Sequence, residues 1–101
     1  MTIGGGFGKI VKLAQGALDL HSGRSQVDFD WLANLMPDFL RARIIAANTA
    51  QEVLDICAGL DLPSQVAHLA LQTVRHVLRE APVAADIVIV GRKGGIIGRA
   101  A

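Results

Sequence analysis

Two groups of residues in this 101-residue chain have types and spacing suited to chemistry, and a third has the residue types alone. The first is Gly4-Gly5-Gly6-Phe7-Gly8-Lys9, close behind the N-terminus. Glycine lets backbone N–H groups approach a ligand closely, and a helix that follows turns its positive end toward that ligand. Lys9 is followed by Ile10 and not by Ser or Thr, so the spacing is not that of a P-loop, and the dinucleotide fingerprint matches only loosely. A tight strand-to-helix turn with no ligand would use the same glycines. The second group is His21, Ser22, Arg24 and Ser25. It offers an imidazole, two hydroxyls and a fixed cation, a set able to grip carboxylates. A solvated loop whose Ser and Asp cap neighbouring helices would use the same residues. The third is the histidines of the C-terminal half. His68 and His76 miss the four-residue spacing that lets two histidines share a metal. With one cysteine and no third converging ligand, no protein-held metal is expected. Arg75 and Arg79 read as a solvated basic strip. No Gly-x-Ser-x-Gly elbow and no Cys/His pair at a familiar spacing is present.

The elements that must position these groups follow from periodicity. Phe7, Ile10, Val11, Ala14, Ala17 and Leu18 recur at helical spacing, with Lys9, Lys12 and Gln15 on the opposite face. The order is therefore strand end, glycine loop, helix beginning near Phe7 or Gly8. The polar stretch 19–26 belongs on a surface loop. Asp28 is placed to cap a short helix carrying Phe29, Leu32, Ala33 and Met36, which Pro37 should end or kink, and 38–47 reads as a further helix. Thr49 and Glu52 form a capping-box pattern ahead of Val53, Ile56 and Cys57, and Gly59 is placed to close that helix in the left-handed conformation. The longest helix should start near Ser64, after Pro63. It has Val66, Ala70, Val74, Val77 and Leu78 on one face, Gln65, His68, Gln72, Arg75 and Arg79 on the other, and Pro82 to stop it. Asp86–Val90 is an apolar β-branched run, and Arg92 to Gly95 can turn it into a second short strand at Ile96 and Ile97. Only Met1 to Ile3 precede the glycines, where a strand of about five or six residues is usual. Most of that strand is expected to be missing, which would make the chain a fragment.

Composition sets the outer limits. The length suits one domain at most, burying somewhat under roughly 70% of the surface of the unfolded chain. Half the residues are hydrophobic, yet the aromatics are three Phe and one Trp, so Leu, Ile, Val and Ala must fill the core of a helix-rich α/β protein. A net charge of +1 is too small for the broad field of a nucleic-acid or membrane-surface binder. The lone Cys57 permits no internal disulfide and suits a reducing cytoplasm as a buried thiol. No apolar run approaches the roughly 18 to 20 residues that span a bilayer, and no signal peptide is visible, so a soluble cytoplasmic protein is expected.

Gly5-Gly6-Phe7-Gly8-Lys9-Ile10-Val11-Lys12-Leu13-Ala14-Gln15-Gly16, with Asp19-Leu20-His21-Ser22 and Arg24-Ser25-Gln26-Val27-Asp28 behind it, resembles the C-terminal region of the cobalt-precorrin-5B C-1 methyltransferases. The tail from Ala85 to Arg99, with its Arg-Lys-Gly-Gly-Ile-Ile-Gly ending, is similar to the end of the same family. Residues 3–34 carry most of the likeness. The resemblance implies a single C-terminal α/β domain over 1–101, a helix-rich piece of a Rossmann-like domain with a short strand pair at its end, lacking the family's large N-terminal domain. It implies methyl transfer from S-adenosylmethionine to ring carbon C-1 of a cobalt-corrin precursor, the cobalt belonging to the substrate. Carried over to this sequence, Gly4, Gly5, Gly6, Phe7, Gly8 and Lys9 would line the methyl donor or its approach. Lys12, His21, Ser22 and Arg24 would meet the substrate's carboxylates through charged hydrogen bonds. Positioning of donor and acceptor, more than a nucleophilic side chain, would supply the rate. Two other readings compete with this one: a small standalone nucleotide- or phosphate-binding module, and a non-catalytic interaction protein built from helices.

Overall fold

The computed structural model describes residues 1–16, 27–79, 81 and 83–101. Its centre is the β-branched run Asp86–Val90, strand β2, flanked by β1 (Thr2–Gly6) on one side and β3 (Ile96–Ala100) on the other. β1 runs parallel to β2 in register Thr2 to Asp86 through Gly6 to Val90, and β3 returns antiparallel after a tight turn. The outer ends of the β1–β2 pair are tied by the Met1 ammonium donating to the Ala84 carbonyl at 2.8 Å and the Thr2 hydroxyl donating to Asp86 at 2.7 Å. The sheet excludes a chain built only of helices.

Alternation along β2 sends Ile87 and Ile89, both fully buried, to one face of the sheet, where Ala100 joins them. Helices α1 (Phe7–Ala14) and α5 (Leu62–Leu78) cover that face and pack on each other. Ile10 and Val11 of α1 and Leu62, Val66, Ala67, Ala70 and Leu71 of α5 supply the facing side chains. Each large aliphatic enclosed in this way contributes on the order of 1.5–3 kcal/mol relative to exposure. The opposite face carries Gly4, Val88 and Arg99, of which none is buried. The intervening chain forms a cap of short helices, α2 (Phe29–Ala33), a 3₁₀ turn (Asp38–Leu40), α3 (Arg41–Ile45) and α4 (Ala50–Ile56), anchored by buried Leu32, Ile44 and Val53.

Most local signals in the sequence act as expected. The Asp28 carboxylate accepts from the Trp31 N–H at 3.1 Å, capping α2. Thr49 accepts from the Glu52 N–H at 3.1 Å, while the Glu52 carboxylate turns back to the Asn48 N–H at 3.3 Å. Gly59 has φ +86. Helix α5 begins at Leu62, two residues before the expected start, with Asp61 ahead of it at φ +57. Val77 was expected on the buried face of α5 and is 55% exposed.

The glycine segment differs from expectation. Gly4, Gly5 and Gly6 are not a loop: they are the last three residues of β1, opposite Val88, Ile89 and Val90, and α1 starts at the next residue. The backbone of β2 offers parallel partners to all five residues of β1, so the extended conformation costs these glycines nothing in lost hydrogen bonding. With five residues β1 has ordinary length, and the brevity of the segment before Gly4 says nothing about what precedes it.

Candidate functional site

Because β1 and β2 are parallel, their carboxyl ends, Gly6 and Val90, lie side by side at one edge of the sheet. Open sheets of this kind bind ligands in the crevice beyond the carboxyl ends of their strands. A cleft of about 610 Å³ opens there. Its floor is Gly6, Phe7 and Gly8, where β1 passes into α1; its second wall is Thr49, Gln51, Glu52, Leu54 and Asp55 of α4 and its cap; Val90, Gly91, Arg92 and Ile97 of the β2–β3 hairpin close the third side. A further hollow of about 550 Å³ continues from it between α4, the start of α5 and the hairpin turn, sharing Gln51, Leu54, Gly91, Arg92 and Ile97.

Glycine at position 6 keeps the floor open. Its φ of −68 and ψ of 167 are available to any residue, so conformation does not demand glycine. A Cβ built there meets nothing within 4 Å and would project into open space. No side chain caps α1, so the free N–H groups of its first turn stand at the floor of the cleft. Across the cleft the charges are mixed. Glu52 and Asp55 place two carboxylates on α4, each engaged once, Glu52 by the Asn48 N–H and Asp55 by the Gln51 side-chain amide at 3.2 Å. Arg92 lies on the hairpin side, exposed. The cleft can therefore take a small polar ligand carrying both signs of charge.

Of the residues singled out from sequence, Gly6, Phe7 and Gly8 meet at this cleft. Gly4 sits on the strand's exposed side, with its added Cβ 3.9 Å from the Val88 carbonyl oxygen, and Gly5 lies under the Lys9 side chain, whose Cδ would stand 2.8 Å from a Cβ at that position. Lys9 is exposed and Lys12 half-buried in the last turn of α1, where its charge complements the helix dipole. Neither is a wall of the cleft. His21, Ser22 and Arg24 lie outside the described residues, as does Pro82. His68 and His76 are exposed on α5, and no group of three metal-ligating side chains occurs among the described residues. No helix among the described residues is long and apolar enough to cross a membrane. Sequence reasoning missed the α4 wall and Arg92. Thr49 and Glu52 had a sufficient role as a helix cap, and nothing in their spacing announced that α4 would face the strand ends.

Cys57 closes α4 and borders the second hollow, 2% exposed. Burial pushes its thiol above the ordinary value, against a weaker lowering influence from Arg43. It is a neutral packing group.

Residues 19–101 match the family described as CbiD, C-terminal domain. The chain belongs to that family. Curated relatives named cobalt-precorrin-5B C(1)-methyltransferase in Brucella anthropi, Brucella ovis and Brucella canis are each 47% identical to it over 106 residues. The match takes in 98% of this chain and 29% of each relative, so the chain spans under a third of their length. No solved structure matches it. β1 and α1 lie ahead of the matched region.

Proposed function

We propose that this chain is the C-terminal α/β portion of a cytoplasmic enzyme that methylates ring carbon C-1 of cobalt-precorrin-5B, with S-adenosylmethionine as donor. The observation that carries the reading is the cleft at the ends of β1 and β2, whose floor stays open because residue 6 has no side chain. S-adenosylmethionine supplies an electrophilic methyl group on a sulfonium. Its ammonium and sulfonium cations suit the Glu52 and Asp55 carboxylates, and its own carboxylate suits Arg92 and the N–H groups at the start of α1. The volume of about 610 Å³ lies within the range of small-ligand sites.

The residues of this chain act by binding and orienting. Aligning a methyl donor with a ring carbon converts a bimolecular step into one between held partners, which supplies much of the rate without a nucleophilic side chain. Thr49, Glu52, Asp55 and Arg92 are exposed, so the cleft is open to water along one side. A dry site enclosing both donor and macrocycle needs further protein, which the family's N-terminal region would provide. The Rossmann-like reading of the sheet rests on its parallel pair and strand-end cleft. His21, Ser22 and Arg24 stay as candidates for substrate carboxylates, together with Lys12.

The test is calorimetric titration of S-adenosylmethionine into the chain joined to the N-terminal region of a relative, with and without Gly6→Val. The substitution should leave folding intact, since nothing lies within 4 Å of the new Cβ, and should weaken donor binding by about tenfold or more by filling the floor. The 101-residue chain alone should not turn over cobalt-precorrin-5B. Unchanged affinity in folded Gly6→Val would reduce the cleft to a structural gap.

A further inference from the structure

The hollow beside the donor cleft differs from it in character. Leu54, Ala58, Pro63, Ile96 and Ile97 give it an apolar wall, in which Ile96 is 58% and Ile97 40% exposed. Arg92 and Lys93 stand exposed at its edge. The turn that carries them is held by the Gly91 N–H donating to the Gly95 carbonyl at 2.7 Å and the Gly94 N–H to the Gly91 carbonyl at 3.0 Å. Asp61, also at this hollow, lies on the α5 side of it. The one ion pair among the described residues joins Arg41 to Asp30, so neither hairpin cation is held by a carboxylate there.

An apolar shelf with cations fixed along its rim matches a flat ring whose edge bears carboxylates. Resting on the methyltransferase reading above, we propose that this shelf seats the edge of the tetrapyrrole, its ring face against Leu54, Ile96 and Ile97 and a peripheral carboxylate on Lys93. The shared wall of Gln51, Leu54, Gly91, Arg92 and Ile97 then sets acceptor beside donor. Lys93 borders the second hollow and not the first, so it separates the two functions.

The probes are cobyrinic acid, a cobalt corrin with free peripheral carboxylates, and cobinamide, in which those carboxylates are amides. Each is titrated into the same joined protein used above and followed by corrin absorbance, with S-adenosylmethionine titrated in parallel. Cobyrinic acid should bind more tightly than cobinamide, Lys93→Glu should weaken it about fivefold or more, and Lys93→Arg should restore it. Donor affinity should not move in either variant. Equal binding of the two corrins, no binding of cobyrinic acid, or indifference to Lys93→Glu, in a protein that still binds donor with dependence on Gly6, overturns the shelf alone. Failure of the donor to bind tells instead against the methyltransferase reading.

Discussion

A methyl group on Gly98 would stand 2.7 Å from the Pro63 Cβ and 2.8 and 2.9 Å from its carbonyl carbon and oxygen, so β3 lies directly on the first turn of α5. Two of those three atoms are backbone and cannot swing aside. Gly98→Ala must therefore push β3 off α5, and we expect a loss of roughly 1–3 kcal/mol, as for overpacking elsewhere. Gly95→Ala is the control: its added Cβ meets nothing within 4 Å, and the change should stay within about 0.5 kcal/mol. Urea denaturation of both variants measures the difference. Equal midpoints would mean that β3 and α5 adjust without cost.

The contrast between these two glycines marks how far the sequence could be read. Helix caps at Asp28 and Thr49, the left-handed Gly59 and the strand Asp86–Val90 follow from residue type and local spacing, and the structure has them. Gly4 to Gly6 look the same as a loop or as a strand, because glycine carries no side chain to show a period, and only pairing with the distant β2 decides it. Of Gly4 to Lys9, singled out together from sequence, Gly6, Phe7 and Gly8 line the strand-end cleft, although Gly6 ends a strand where a loop was expected. The α4 wall was not legible. Glu52 and Asp55 face the strand ends through tertiary packing of α4 beside α1, which no short motif encodes.

The Thr49 hydroxyl caps α4 at the border of the strand-end cleft. Thr49→Ala should cost about 1 kcal/mol through the lost cap, while Thr49→Ser keeps the oxygen and most of the stability. A thermal melt of the three proteins reads the effect. Loss of stability in the Ser variant equal to that in the Ala variant would show that the methyl group, not the cap, holds this end of α4.

The last prediction concerns alkaline pH. In the unfolded chain the Cys57 thiol ionises at its ordinary value of 9.0, whereas in the folded chain burial raises that value, so the folded state keeps a proton that the unfolded state has released. The sign follows: with more protons bound to the folded form, stability falls as pH rises. Well below 9.0 both states hold the proton and Cys57 contributes no slope; the decline begins near the ordinary value and levels off above the raised folded one. Cys57→Ala removes the titration and leaves a small cavity, so it should be less stable at neutral pH by about 1 kcal/mol and show a shallower alkaline decline. Urea midpoints of the two proteins from pH 7 upward make the comparison, with slow reaction of the native thiol toward a disulfide reagent as a companion readout. Parallel alkaline declines in the two proteins would assign the loss to other groups and remove Cys57 from the account.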